Sequence, residues 1–116
     1  MQPHHDPQAL DLMFHALADR NRRSMVDQLS HGPTSVSDLA RPLAIALPSA
    51  VKHLAILEAG GLVLSDKVGR VRTYRLAPDA FSKVEAWVEQ RKTRLNRQFD
   101  RLEQYLLEQA KDGEAP

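Results

Sequence analysis

Apolar positions along this chain fall first into helical spacing, then briefly into alternation, then into helical spacing again over a much longer stretch. Leu10, Met13, Phe14 and Leu17 share one face of a 3.6-residue period and predict a first short helix. Asp19 is placed to cap a second helix with Met25, Val26 and Leu29 inward, closed by His31-Gly32-Pro33. Thr34 or Ser35 then caps a short helix running to Arg41, with Asp38 where a carboxylate can reach back to the first amides. A further helix carries Pro48 in its first turn, where a missing amide hydrogen costs nothing. Ala50, Leu54 and Leu57 form its inner stripe and Gly60-Gly61 its stop. Residues 62–68 and 71–76 favour a pleated pair through their valine, threonine and tyrosine, joined at Gly69-Arg70.

After Pro78 the helical pattern returns with Phe81, Val84, Val88, Leu95, Phe99, Leu102 and Leu106. That stripe is longer than the small domain ahead of it can cover, and a second copy of the chain is the simplest partner. The predicted fold is mainly α with a small β-hairpin: a winged helix-turn-helix at residues 8–78 and a long C-terminal dimerisation helix at 79–110. Residues 1–7 read as a flexible tail and 111–116 as a frayed end. Helix, turn, helix and basic hairpin, in that order, put one helix in a DNA major groove and a charged wing beside it.

Composition narrows the field. The 116 residues suit one small domain, and a net charge of +1 means that any positive surface must be concentrated locally. There is no cysteine, so disulfides, thiolate metal sites and cysteine nucleophiles are excluded. The start, MQPHHDPQ, lacks the apolar core of a signal peptide, and no later segment is apolar enough to span a membrane. A soluble cytoplasmic protein without membrane contact is expected.

The candidate DNA-binding residues follow from the inner stripe. With Ala50, Leu54 and Leu57 packed inward, Leu47, Pro48, Val51, Lys52 and Ala55 point out. Ser49 can reach a phosphate, Lys52 a guanine edge or phosphate, and Leu47 and Val51 thymine methyl groups. His53 is a candidate too, though its place beside Leu54 favours packing or capping. In the wing, Lys67, Arg70, Arg72 and Arg75 are opposed only by Asp66, and Lys67, Arg70 and Arg72 are the expected DNA contacts. Arg20, Arg22 and Arg23 open the second helix, where positive charge opposes the macrodipole. Phosphate contact by Arg22 and an ion pair with Asp27 or Glu58 are both open.

At these residues the chain resembles the ArsR family of winged helix-turn-helix transcription factors. The motifs are FHALADRNRRSMVDQLSHGPTSVSDLA, LPSAVKHLAILEAGGLV and KVGRVRTYRLAP, in order over residues 12–78. The last part, WVEQRKTRLNRQFDRLEQYL, is similar to a metal-independent branch. The resemblance implies a homodimer that binds an inverted-repeat operator in double-stranded DNA as a repressor. It places the recognition helix at residues 47–60 and the wing at 64–74. It also implies a dimer interface drawn from Leu10, Met13, Phe14, Trp87, Val88, Leu95, Phe99, Leu102 and Leu106. Two departures stand out: Val51 where the family has a small polar residue, and Ala46 where a capping serine is common.

The family's thiolate metal site uses a CVC motif, replaced here by Ser35-Val36-Ser37, which offers no soft anionic sulfur. Its other metal site uses aspartate and histidines on the last helix, which here has no histidine; Asp79, Glu85 and Glu89 read as surface acids. His4, His5 and Asp6 read as part of a solvated tail, and His15 and His31 have no sequence partners that make a site. No metal and no cofactor are therefore expected. A small-molecule or protein effector is left open, with Trp87 the residue nearest any apolar pocket. No phosphate-cradling loop, nucleophile elbow or metal triad points to an enzyme. The competing class is a winged-helix interaction module without specific DNA binding, against which the basic wing and Lys52 argue.

Overall fold

The computed structural model describes residues 6–113. These form two units, residues up to Lys83 and residues from Val84 onward. In the first, helix α1 (Pro7–Leu17) and helix α2 (Arg20–Leu29) precede a two-residue strand β1 (Thr34–Ser35). Helix α3 (Val36–Ala40), a 3-10 turn (Arg41–Leu43) and helix α4 (Leu47–Ala59) follow. Strands β2 (Val63–Val68) and β3 (Val71–Leu76) close the unit, and helix α5 (Ser82–Gly113) begins two residues before the second and forms it from Val84 onward.

Local chemistry sets most of these boundaries. Asp6 caps α1, its carboxylate accepting from the N–H groups of Gln8 and Ala9 at 3.0 and 3.2 Å. The helix therefore starts at Pro7, inside the stretch expected to be a loose tail; His4 and His5 lie outside the described residues. Asp19 caps α2 as expected, accepting from the Arg22 N–H at 3.1 Å. Ser35, not Thr34, caps α3 by accepting from the Asp38 N–H. Asp38 does not reach back: its carboxylate pairs with Arg41 at 3.2 Å, further along the chain.

Helix α4 ends in a Schellman motif, with the Leu62 N–H bonded to the Leu57 carbonyl and the Gly61 N–H to that of Glu58, both at 3.0 Å. Gly61 supplies the left-handed residue at φ +77°, and the fully buried Leu57 and Leu62 make the accompanying apolar contact. Gly60 has another purpose. A Cβ there would lie 3.0 Å from both the Ala16 Cβ and the Leu12 carbonyl oxygen, so its bare backbone lets α1 lie against the end of α4.

The core collects Met13 and Ala16 of α1, Met25 and Leu29 of α2, Leu39 of α3, Leu54 and Leu57 of α4, and Leu62, Val63 and Tyr74 of the strands. The sheet is antiparallel in the order β1-β3-β2. The expected hairpin is present, and β1 adds a third strand by pairing Thr34 with Tyr74 and Ser35 with Thr73. No single helix among the described residues is long and apolar enough to cross a membrane.

Helix α5 starts at Ser82 and continues to Gly113, past the end expected at residue 110. No residue along it is buried within the chain, and its apolar side chains Trp87, Val88, Leu95, Phe99, Leu102 and Leu106 are exposed. Arg91 lies over the Trp87 ring at 4.3 Å from the centroid, a cation–π contact one turn apart.

Candidate nucleic-acid interface

The segment from α3 through its 3-10 turn and helix α4 are bent by 110°, within the range of a helix-turn-helix. The turn between them closes through Ala44, whose N–H bonds to the Arg41 carbonyl at 3.1 Å and whose φ of +54° is left-handed. Such a backbone costs an L-residue about 1 kcal/mol or more, and the geometry of the turn holds it there.

Helix α4 buries Ala50, Leu54 and Leu57 completely, which fixes its rotation about its own axis. Leu47, Pro48, Ser49, Val51 and Lys52 are all exposed as a result, and Ala55 extends the same arc. Ala46 occupies the N-cap position and gives the helix no side-chain hydrogen bond. The first turn of α4 is thus uncapped by protein side chains and carries the positive end of the helix dipole, where an anion is favoured.

The wing is a two-residue hairpin. Gly69 has φ +64° while Arg70 keeps a negative φ, as a type II′ turn requires. Register sorts the wing charges. Lys67 stands opposite Arg72 across the strands, a like-charged pair that costs stability. Arg75 is committed elsewhere, its Nε donating to the Asp66 carboxylate at 2.8 Å. Arg72 donates to the Ser65 hydroxyl at 3.0 Å, and Ser65 donates to Glu58 of α4 at 3.5 Å, tying the wing to that helix. Lys67 and Arg70 are exposed and make no ion pair among the described residues.

Two expected contacts are corrected. Arg22 is only 7% exposed and cannot reach a phosphate. Its Nε donates to the Ala16 carbonyl at 2.7 Å, one Nη to the His15 carbonyl at 3.0 Å and the other to His53 Nδ1 at 3.2 Å. Neither Asp27 nor Glu58 is its partner. Arg23 likewise donates to the Leu17 carbonyl at 2.8 Å. These arginines oppose the dipole of their own helix because they satisfy the carbonyl end of the preceding one. The signal was present in the sequence: Arg22 lies three, four and seven residues before Met25, Val26 and Leu29, on the inner stripe of α2.

His53 is the second correction. The Arg22 guanidinium, which can only donate, points at the His53 Nδ1. With Asp19 at 4.0 Å, the ring belongs to a packing network linking α1, α2 and α4 and does not belong to the outer face. Asp19 itself has its carboxyl held below the usual 3.8, chiefly by the Arg22 N–H, against some opposing burial, with the Arg22 guanidinium and His53 adding to the lowering.

Of the expected dimer residues, Met13 is 3% exposed and packs in the core of the first unit, so it has no surface to offer a second copy. Leu10 is half-buried and Phe14 exposed on α1, and the α5 set is exposed throughout. Leu12, Tyr105 and Leu107 are exposed large apolar residues that the sequence reading passed over; the last two flank Leu106 and widen its stripe. Ser35, which stands where a thiolate ligand would be, caps α3, and Asp6 caps α1. No group of three or more potential metal ligands occurs among the described residues.

Comparison with known proteins agrees with this architecture. A family model described as a helix-turn-helix domain matches residues 17–66. The HTH-type transcriptional regulator Rv2034 of Mycobacterium tuberculosis is 41% identical over 68 residues, which are 59% of this chain and 64% of that protein. The arsenical resistance operon repressor of Escherichia coli is 40% identical over 67 residues, 57% of each chain. The match thus spans less than two thirds of the length of these curated relatives. A crystal structure of the ArsR family transcriptional regulator RHA00566 superposes with a TM-score of 0.73 at 42% identity, covering 78% of this chain and 93% of that one. A homodimeric winged helix-turn-helix DNA-binding domain from Mycobacterium bovis gives 0.62 at 28% identity, over 72% and 77% of the two chains. These relatives are regulators, not enzymes, and the chain belongs to the ArsR family of winged helix-turn-helix transcriptional regulators.

Proposed function

We propose that the protein is a homodimeric, sequence-specific repressor that binds an inverted repeat in double-stranded DNA. The observation that carries this reading is the exposed outer face of α4, next to an uncapped helix start and a hairpin whose Lys67 and Arg70 have no ion-pair partners among the described residues. Leu47, Pro48, Ser49, Val51 and Lys52 enter the major groove, and Lys67, Arg70 and Arg72 hold the adjoining backbone or minor groove. Repression is supported by likeness to the arsenical resistance repressor, and dimerisation by likeness to the homodimeric Mycobacterium bovis domain.

Two copies join through Leu10 and Phe14 of α1 and through Trp87, Val88, Leu95, Phe99, Leu102 and Leu106 of α5. They present two recognition helices about 34 to 36 Å apart, one turn of DNA. Release does not depend on a thiolate-bound metal, since the chain has no cysteine and its Ser35 caps a helix. Any effector acts by binding one dimer geometry more tightly than another.

A mobility-shift titration of DNA from the protein's own upstream region against a scrambled duplex tests this, over a series of salt concentrations. Specific retention is expected, with Lys67→Ala and Arg70→Ala each lowering the salt slope by about 0.9. Equal retention of both duplexes would favour an interaction module. Release by added zinc would overturn the metal-independent part of the reading.

A further inference from the structure

We propose that the recognition helix reads its operator chiefly through the C5-methyl groups of thymine, with Leu47 and Val51 as the residues that set specificity. This rests on the reading of α4 as the major-groove helix. Ala50, Leu54 and Leu57 are fully buried, so the opposite arc of the helix is defined without ambiguity. At 100° per residue that arc is centred on Pro48, Lys52 and Ala55, with Val51 beside it. Val51 and Ser49 flank that arc, and Leu47, though nearer the buried stripe by rotation, is exposed as the first residue of the helix.

Hydrogen-bonding capacity on this face is sparse. Lys52 and Ser49 are its only polar side chains, and neither presents the paired donor and acceptor that reads adenine in a bidentate way. His53, the one nearby side chain with both kinds of nitrogen, is engaged by Arg22. Glu58, the next polar residue along the helix, is engaged by Ser65 of the wing.

What the face does present is apolar. Leu47 is 50% exposed and Val51 49%, one helical turn apart, with Ala55 a further turn on. An exposed pair of branched side chains is costly in water, and the major groove holds one apolar group able to cover it, the thymine methyl. Lys52 next to them supplies charge for a phosphate or a guanine edge without competing for the methyl groups.

The test removes the methyl groups and nothing else. A preferred duplex is first selected from a random pool with canonical bases. Each thymine in a half-site is then replaced singly by deoxyuridine, and affinities are measured by fluorescence anisotropy. Contacted positions should lose about three- to fivefold in affinity, the loss expected for one buried methyl. In Val51→Ala, the loss at the position under Val51 should fall to nearly nothing, and Leu47→Ala should do the same at a neighbouring position. Both residues are exposed, so folding is not at stake. Uracil duplexes bound as tightly as their thymine counterparts, with specific binding otherwise intact, would overturn the methyl readout and leave DNA binding standing. A pool that yields no preferred duplex would overturn the DNA-binding reading, and this inference with it.

Discussion

A buried arginine is the residue on which the first unit turns. Arg22 bridges two carbonyls at the end of α1 and one ring on α4, so it ties α4 to the first two helices. Arg22→Ala should cost about 2–3 kcal/mol in urea denaturation, because two carbonyls lose a charged donor. Arg22→Lys should recover less than half of that, since one ammonium cannot span three acceptors in a plane. A loss under about 0.5 kcal/mol would show the network to be dispensable. Asp19 acts beside it. Its folded-state pKa is lowered, so its contribution is fully present above the unfolded value and fades as pH falls through the folded one. Asp19→Asn keeps a capping oxygen but no charge. Wild type should be the more stable of the two at neutral pH, and the gap should narrow only as pH falls below the ordinary carboxyl value of 3.8, through the lowered folded-state one. Arg22 was legible as an inward residue from its spacing and was read as a surface one from its charge. A positive cluster at a helix start reveals its partner only once the previous helix end is known to lie beside it.

At the scale of elements, the helices were the most legible because each carries its own periodicity and caps. Asp19 and Ser35 cap the helices they were expected to cap, and Gly60-Gly61 ends α4 where expected. Strand β1 was not legible, because two residues have no alternation to read and pair only when β3 arrives across the sequence. The start of α1 was missed for a related reason: Asp6 and Pro7 carry a capping signal, but the prolines suggested a tail. Ala44 was equally silent, since alanine gives no hint of a left-handed backbone. The turn it closes sets the 110° bend. Ala44→Gly should relieve the strain and stabilise the chain by about 0.5–1 kcal/mol, raising Tm by several degrees. An unchanged or lower Tm would show that glycine's greater freedom when unfolded outweighs the relief.

For the whole molecule, α5 poses the largest energetic problem. It is 32 residues long with none buried, and its exposed apolar side chains repeat at coiled-coil spacing from Leu95 through Phe99 and Leu102 to Leu106. Isolated helices gain little from propensity alone, so such a surface calls for a cover. Replacing Leu95 and Phe99 together by glutamate should give a monomer in sedimentation velocity, and an intact dimer would place the interface elsewhere. This stripe was plain in the sequence, whereas the burial of Met13 inside the first unit was not. Both are methionine or leucine at helical spacing, and only the packing of α4 on α1 decides which faces in.

The hairpin also works as a ruler. It begins three residues after α4, behind a locked helix end, and each strand has six residues. Six residues at about 3.3 Å each reach roughly 20 Å. Half a turn of duplex DNA is about 17 Å, so, on the proposed placement of α4 in one groove, a wing of this length would end over the next. On that proposed placement, two residues fewer per strand would stop about 7 Å short and leave Arg70 over solvent, with the base contacts proposed for the helix unchanged.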